Sequence, residues 1–312
     1  MTRGLPGAAI ALLMASVCCS APRPDATYHP VVPAPAYATG TGPLVCFDEA
    51  HHNFHRLYGL FGAFGELVRA DGFHLEASRE RLDRGPPATC RVLVIANAQQ
   101  DDRDMTEQPY PTPPAFDGTE IRALHDWVRH GGRLLLIADH MPFAGAAAPL
   151  AAAFGCRFLD GFAVANFTSE DEARAAFLRP SLLTAAAGTV HPHAVTRGRS
   201  QADAVTQVAT FSGQAFRCGP EAQPLLTLPL DYVSLMPEKA WQFTMETPRV
   251  PVGGWLQGAA LDFGSGRVAV FGEAGMFSAQ ITDDGRPMGF NAPGAEQNAR
   301  YVLNLLEWLA AP

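Results

Sequence analysis

Apolar runs alternate with amphipathic segments along most of the chain. Continuous apolar runs at residues 44–47, 91–96 and 134–138 are bounded by polar groups, which is typical of strands buried on both faces. Between these runs, apolar residues recur at three- and four-residue spacing over residues 54–68 and 121–128, which predicts amphipathic helices. Strands that alternate with helices predict an α/β protein with a mainly parallel sheet.

Further patterns complete this prediction. We expect a short strand at 73–77, a helix that begins at Asp117 with Glu120 as its capping carboxylate, a helix at 144–154, a strand at 268–271 and a C-terminal helix from Ala299 to Leu309. Residues 99–116 form an irregular segment with four prolines. Two interpretations of this segment are compatible with the sequence, a lid over the sheet edge and a disordered insertion. Residues 157–257 show no clear period, so we predict an inserted, partly β subregion within a single domain of residues 43–312.

The N-terminus has the pattern of an export signal. Residues 1–21 combine Arg3, an apolar stretch and small residues around Cys18 and Cys19, which predicts a signal peptide or, alternatively, a lipoprotein signal. Residues 22–42 are rich in proline and alanine, which predicts a tether. We therefore expect an exported protein, periplasmic or tethered to the envelope, with a lipid anchor as the open alternative.

Charge and composition exclude some partners. The net charge is −8, and Lys239 is the single lysine, so the phosphate-binding cations of a nucleic-acid-binding protein are missing. No run of apolar residues reaches the ~18 that a membrane-spanning helix needs. Outside the signal, Cys46, Cys90, Cys156 and Cys218 allow one or two disulfides of open connectivity, with Cys46 expected as a small buried side chain.

Polar groups follow four of the predicted strands. These strand ends carry Asp48-Glu49, Asn97, Asp139-His140 and Glu273. Parallel strands connected by right-handed crossovers end at the same edge of a sheet, where α/β proteins bind ligands. We therefore predict a polar cleft at this edge. Its candidate catalytic groups are Asp48, Asp139, His140 and Glu273, and its candidate substrate-binding groups are Glu49, Asn97 and His52.

The histidines after the first strand suggest a second chemistry. His51 and His55 are four residues apart, and on a helix they would share one face and hold a divalent metal such as zinc with a third ligand from a neighbouring strand. The glutamate of a His-Glu-x-x-His zinc helix is absent. The alternative is that these histidines cap the helix or hydrogen-bond the nearby carboxylates. If no metal binds, Asp48 or Glu273 beside an imidazole can still form an acid–base pair.

The chain also resembles a known superfamily. The first strand ending in Phe47-Asp48-Glu49, the block 120–139 and the block 266–277 with the C-terminal helix are similar to class I glutamine amidotransferase-like proteins, especially exported bacterial branches of unknown function. The resemblance implies a three-layer, flavodoxin-like or amidotransferase-like sandwich. It also implies the loss of the original chemistry, because Ile137-Ala138-Asp139 replaces the nucleophilic cysteine elbow, and Phe271-Gly272-Glu273 keeps the acid of the His-x-Glu pattern without its histidine.

These observations lead to two functional hypotheses of different classes. The first is a hydrolase, metal-assisted or not, that acts on a small or carbohydrate-like substrate and is not a glutamine amidotransferase. No Gly-x-Ser-x-Gly elbow and no phosphate-binding loop offers another mechanism. The second is a non-catalytic envelope module that binds a glycan or a partner at the same edge.

Overall fold

The computed structural model describes residues 22–312, so the predicted export signal at residues 1–21 lies outside the described residues. The α-helices are α1 (Gly62–Ala70), α2 (Gly118–Arg129), α3 (Phe143–Ala153), α4 (Glu170–Leu178), α5 (Ala194–Arg197) and α6 (Asn298–Ala310). The strands of the first half are β1 (Arg23–Pro24), β2 (Leu44–Asp48), β3 (His74–Ser78), β4 (Val92–Ala96), β5 (Arg133–Ile137), β6 (Cys156–Phe158) and β7 (Phe162–Ala165). The remaining strands are β8 (Ser181–Thr184), β9 (Gln207–Thr210), β10 (Phe216–Cys218), β11 (Gln223–Thr227), β12 (Tyr232–Leu235), β13 (Arg249–Pro251), β14 (Leu256–Phe263), β15 (Gly266–Phe271), β16 (Ala279–Ile281) and β17 (Pro287–Gly289).

A large mixed sheet organises the protein. Its parallel strands lie in the order β3-β2-β4-β5-β15, which is 2-1-3-4-5 when these five are counted along the chain. Antiparallel strands β14, β11, β10 and β6 extend it beyond β15. The predicted α/β class with a mostly parallel sheet is confirmed, and three smaller antiparallel sheets accompany it.

Helices cover both faces of the sheet because its central strands are apolar on both sides. Phe47, Val94 and Leu135 point into a core with α1 and α6, whereas Leu93, Leu134 and Val268 point into a core with α2 and α3. Helix α2 begins as predicted, since the Asp117 side chain accepts the Glu120 backbone N–H at 3.0 Å and the Glu120 carboxylate accepts the Asp117 N–H at 3.2 Å. These helices fix the parallel strands whose C-terminal ends carry the candidate site.

The helix predicted over residues 54–68 begins later, at Gly62. Residues 49–61 follow an irregular path because their backbone N–H groups bond elsewhere: the His51 N–H to Asn53 Oδ1 at 3.1 Å and the Leu57 N–H to Glu49 Oε1 at 3.0 Å. His52 also has φ of +47°, which no α-helix accommodates. The premise that His51 and His55 share a helical face is therefore wrong.

Segments outside the central sheet pack closely on it. Residues 157–257 supply strands to the large sheet and form most of the smaller ones, including β13-β12-β7 and β8-β9. The stretch predicted as a tether, residues 22–42, lies along the domain, where β1 pairs with β16 and the Ala36 N–H donates to Asp71 Oδ1 at 2.8 Å. None of the helices between residues 22 and 312 has the length and apolar character that a membrane crossing requires.

Three arginines at the opposite edge of the sheet hold the end of α6. Arg91 Nη2 donates to the Ala311 carbonyl at 2.8 Å, Arg133 Nε to the Leu309 carbonyl at 3.0 Å and Arg267 Nη1 to the Trp308 carbonyl at 2.6 Å. The last carbonyls of a helix have no partner within the helix, and cations near them are favourable. These bonds fasten the C-terminal helix to strands β4, β5 and β15.

Replacing the buried Arg133 with methionine should lower the free energy of unfolding by about 2 kcal/mol, because buried carbonyls would lose their donors. Urea unfolding followed by circular dichroism measures this change. The exposed Arg122, replaced in the same way, serves as the control and should change stability by less than about 0.5 kcal/mol. Equal effects of the two substitutions would contradict the proposed role of Arg133.

Candidate functional site

A buried imidazole lies between two carboxylates beyond the end of β2. His51 Nδ1 is 2.9 Å from both carboxylate oxygens of Asp48, and His51 Nε2 is 3.0 Å from Glu120 Oε1. Asp48 and Glu120 are both 0% exposed. Asn53 Nδ2 donates to Asp48 Oδ2 at 3.1 Å and to the Ala96 carbonyl at 3.2 Å, which connects this group to β4.

The surroundings of His51 favour its protonated form. Burial alone would lower the pKa of the imidazole, but the hydrogen bonds and charges of Asp48 and Glu120 outweigh burial and raise it. Both ring nitrogens therefore act as donors, and neither offers a lone pair to a metal ion. Among the residues described, no group of three or more His, Cys, Asp or Glu side chains is arranged to hold a metal. The contacts of Asp48 and His51 are those of a structural ion-pair network.

Two predicted substrate-binding residues from this segment have other partners. Glu49 Oε1 accepts the Leu57 N–H, and Glu49 Oε2 pairs with Arg79 Nη2 at 3.3 Å. His52 is half-exposed, and its Nδ1 lies 2.9 Å from Asp102 Oδ1 in the segment of residues 99–116. Glu49 therefore orders the loop after β2, and His52 contacts the segment for which a lid was one prediction.

The ends of β4, β5 and β15 bring together the other predicted groups. Ile137 of β5 is in register with Ala96 of β4 and with Phe271 of β15, so Asn97, Asp139 and Glu273 follow neighbouring strands. Asn97 Oδ1 accepts the Asp139 N–H at 2.9 Å. Glu273 accepts the N–H groups of Gly275 at 2.5 Å and Met276 at 2.8 Å. The predicted convergence at one sheet edge is present for these residues, although the edge is closed and not an open cleft.

Burial changes the acidity of both carboxyl groups. Burial raises the pKa of Glu273 well above its usual range, and the nearby charge of Asp139 raises it further, while its bonds to backbone N–H groups act in the opposite direction. Burial also raises the pKa of Asp139, although His140 and the N–H groups around it partly offset this effect. Two buried acids that repel each other do not both ionise readily, so one of them keeps a proton to higher pH.

His140 completes this group with an oriented imidazole. Its Nδ1 lies 2.7 Å from the Met141 carbonyl, so Nδ1 is the donor of this hydrogen bond. The ring stacks on Phe162 at a centroid distance of 4.4 Å and meets the edge of Trp241 at 4.8 Å. This packing fixes the ring, so its Nε2 is held in one direction.

Sequence reasoning missed the site roles of two residues, Glu120 and Asp160, and gave a third, His55, a different role. Glu120 was predicted only as a helix cap, yet it also binds His51. Asp160 is a carboxylate near His140 whose pKa burial raises; it follows β6 in a region without a readable period. His55 was predicted as a metal ligand, but its ring is buried, and burial with the nearby His140 lowers its pKa to about 3. Only the capping pattern of Glu120 gave any signal in the sequence.

Comparisons with known proteins give a likeness of fold. No family model matches the sequence, and no curated protein matches it. The solved structure of the mmIFT52 N-terminal domain is 13% identical, with a TM-score of 0.58 over 86% of this chain and 98% of that one. Other structural neighbours include a thua-like protein from Bacteroides uniformis ATCC 8492, 11% identical with a TM-score of 0.44 over 89% of this chain and 95% of that one. The cytoplasmic protein STM1381 from Salmonella typhimurium LT2 is 12% identical, with a TM-score of 0.43 over 86% of this chain and 99% of that one.

The sequence identities and TM-scores limit what these likenesses show. The first likeness shows a shared α/β fold and, at 13% identity, nothing about function. The likenesses to the thua-like protein and to STM1381 have TM-scores below 0.5 and carry no argument about superfamily or function. The chain is thus an α/β protein whose function has to be inferred from its own residues.

Proposed function

We propose that this chain is an exported hydrolase with a flavodoxin-like, amidotransferase-like fold that acts on a small or carbohydrate-like substrate. The observation that carries the proposal is the pair of buried carboxyl groups, Asp139 and Glu273, at the ends of the neighbouring strands β5 and β15. The strand order 2-1-3-4-5 supports the flavodoxin-like assignment, and ligands of such sheets bind at the C-terminal edge.

Asp139, Glu273 and His140 have complementary roles in this proposal. Glu273 is the general acid, because its raised pKa keeps it protonated and able to give its proton to the leaving group. Asp139, with the imidazole of His140 beside it, is the general base that takes a proton from water as the water oxygen attacks the substrate. The bond to the leaving group breaks as Glu273 protonates it, and the proton taken up by Asp139 then returns to Glu273 through solvent, which restores both groups for the next turnover. Asn97, which binds the Asp139 backbone, orients the substrate.

Two disulfides support the proposal of export. Cys46 pairs with Cys90, and Cys156 pairs with Cys218. Disulfides persist in oxidising compartments and are rare in the reducing cytosol, which agrees with the export signal expected at residues 1–21. The pairing also corrects the expectation that Cys46 is an isolated buried thiol.

Substitutions that remove one proton-transfer group at a time test the mechanism. The purified protein is screened with p-nitrophenyl esters, glycosides and phosphates. Any activity found should fall at least about a hundredfold in Glu273→Gln and in Asp139→Asn, the usual scale of acid–base catalysis. Because Glu273 acts as the acid, kcat/KM of the wild type should decline as the pH rises through the raised pKa of Glu273.

The control for this experiment is Asp283→Asn, which changes an exposed carboxylate in the turn between β16 and β17. It should keep full activity, and circular dichroism should show that all three variants are folded. If Glu273→Gln and Asp139→Asn turn over substrate as fast as the control, the acid–base assignment is wrong.

A non-catalytic binding module is the second candidate function. The observation that favours it is that both oxygens of Glu273 already bind backbone N–H groups, as they would in a purely structural loop. An Asp139→Ala/His140→Ala double variant separates the two candidates. If the double variant keeps every ligand of the wild type and no hydrolysis is found in either, the binding module is favoured.

A further inference from the structure

Residues 99–116 cover the edge where the proposed acid–base groups lie. Asp102 of this segment pairs with His52 on one side, and Phe116 packs on His51 at a ring distance of 4.3 Å. On the other side, Trp241 Nε1 donates to Met105 Sδ at 3.2 Å, and Trp241 itself packs on His140. The segment therefore bridges the loop after β2 and the aromatic residues around His140.

The Gln99 N–H donates to the His51 carbonyl and the Ala115 N–H to the Ala146 carbonyl, both at 2.9 Å, and between these two anchors the attachment depends on side chains. Across residues 22–312, no backbone hydrogen bond joins residues 100–114 to the rest of the protein. A third side-chain contact runs from Thr112 Oγ1 to Asp160 Oδ2 at 2.6 Å. A segment held by a few side-chain contacts opens at much lower free energy than a strand or a helix of the core.

Three of the buried polar atoms that have no hydrogen-bond partner in the described part of the chain are His55 Nδ1, Asn97 Nδ2 and Gln99 Oε1. Their segments are joined, since the Phe54 N–H donates to the Asn97 carbonyl at 3.0 Å and the Gln99 N–H to the His51 carbonyl at 2.9 Å. A buried polar atom without a hydrogen bond is costly, and three in joined segments indicate a place where another molecule binds.

The charges around these atoms restrict what can bind. The depressed pKa of His55 keeps its ring neutral, so it supplies no positive charge for an anion. Asp139, whose backbone N–H binds Asn97, would repel an anion when its carboxyl group is ionised. The Asn97 amide nitrogen donates and the Gln99 amide oxygen accepts, which suits a group that does both. The chemistry fits an uncharged amide or hydroxyl group.

We propose that residues 100–114 are a closed lid over a subsite formed by His55, Asn97 and Gln99, which binds an uncharged amide or hydroxyl group of the ligand. The identity of that ligand as a substrate rests on the proposed hydrolase function. The lid and the subsite themselves are tested by measurements that need no catalysis.

Gly145 offers a way to open the lid without touching the acid–base groups. Its N–H donates to Asp160 Oδ1 at 2.9 Å, and a Cβ at this position would overlap Asp160 Oδ2 and Thr112 Cβ. Gly145→Ala should therefore separate Asp160 from Thr112 while the backbone of α3 stays helical. The matched control is Gly62→Ala in α1, where a new Cβ meets nothing closer than the Leu57 carbonyl at 3.7 Å.

Carbethoxylation of histidines by diethyl pyrocarbonate, mapped by mass spectrometry, measures the opening. In the wild type, His55 and His140 should react at least about tenfold more slowly than the exposed His74, because burial limits access of the reagent. Gly145→Ala should raise the rates at His55 and His140 about tenfold and leave His51 slow. Unchanged rates at His55 and His140, or an equal rise at His51, would overturn the lid. Gly62→Ala should behave as the wild type.

Ligand-observed NMR with the isosteric pair acetamide and acetate, and with ethylene glycol, tests the subsite in Gly145→Ala. Acetamide or ethylene glycol should bind more tightly than acetate. The substitution Asn97→Asp should weaken the binding of the neutral probes at least about tenfold, because aspartate lacks the Nδ2 donor but keeps the oxygen that accepts the Asp139 N–H. Equal binding of acetate, absence of binding by both neutral probes, or no effect of Asn97→Asp would overturn the subsite. If the protein passes these tests but hydrolyses no substrate, the proposed hydrolase function is wrong, and the lid and the subsite remain supported.

Discussion

Replacing His51 with alanine should lower the free energy of unfolding by about 3–5 kcal/mol, the largest loss we expect from a single substitution. The imidazole binds Asp48 on one side and Glu120 on the other, and the three side chains are at most 3% exposed. Removing it leaves the buried Asp48 without a cationic partner, whereas Glu120 keeps the partly exposed Arg81 at 3.0 Å, and a buried charge that loses its partner costs several kcal/mol. Urea unfolding of both proteins at one pH measures the difference.

His52→Asn is the control for this substitution. His52 is the next residue, its ion pair with Asp102 is exposed, and asparagine tolerates its φ of +47°. An exposed pair contributes about 0–1 kcal/mol, so the control should remain close to the wild type. A loss for His51→Ala no larger than that for His52→Asn would show that the buried network adds no stability.

The pH dependence of the same difference gives an independent check. The pKa of His51 is raised in the folded protein, so folding favours the protonated ring. The stability from this preference is fully present below the unfolded pKa of about 6.5 and is lost as the pH rises through the folded pKa. The gap between wild type and His51→Ala should therefore be largest under mildly acidic conditions and shrink toward alkaline pH. His55, whose pKa is lowered, acts in the opposite direction in both proteins and cancels from the gap.

The parallel core was predictable because its strands are apolar on both faces. The runs at 91–96 and 134–138 correspond to β4 and β5. A short, continuous apolar run is typical of a parallel strand that helices cover on both faces. Residues 157–257 were not predictable to the same degree. Their short antiparallel strands pair with distant partners, such as Phe216 with Leu256, and short strands show too few residues for a period to emerge.

The same distinction applies to the candidate site: residues that follow apolar strands were predictable, and contacts formed by the loop after β2 were not. Asn97, Asp139 and Glu273 were predictable because each directly follows an apolar strand, and strand order alone brings such positions together. Asp48 also ends a strand, but its side chain binds His51 and Asn53, which the irregular loop of residues 49–61 places beside it. That loop resembles a helix in the spacing of its aromatic residues. The hydrogen bonds of His51 and Leu57 to side chains outweigh this weak helical preference.

Removing the two disulfides together should destabilise the protein by about 4–8 kcal/mol. Each crosslink restricts the unfolded chain, and the loops they close span sequence separations of 44 and 62 residues. The chain-entropy relation gives about 4 kcal/mol for loops of this size, and measured values are commonly 2–4 kcal/mol. Unfolding of the oxidised wild type and of a Cys46→Ala/Cys90→Ala/Cys156→Ala/Cys218→Ala variant measures the sum.

The two single-disulfide variants show where this stabilisation acts. Cys156 and Cys218 are directly opposite each other on β6 and β10, the last two strands of the sheet, so their loss should loosen that edge. Cys46 lies on β2, and Cys90 precedes β4 beside Arg91, at the edge of the sheet opposite the candidate site. Loss of this second pair should therefore raise hydrogen exchange in residues 44–46 and 90–93, where β2 pairs with the start of β4. If a reducing agent leaves the free energy of unfolding of the wild type unchanged, the disulfides contribute little to stability. They would then no longer support the proposal that the protein is exported to an oxidising compartment.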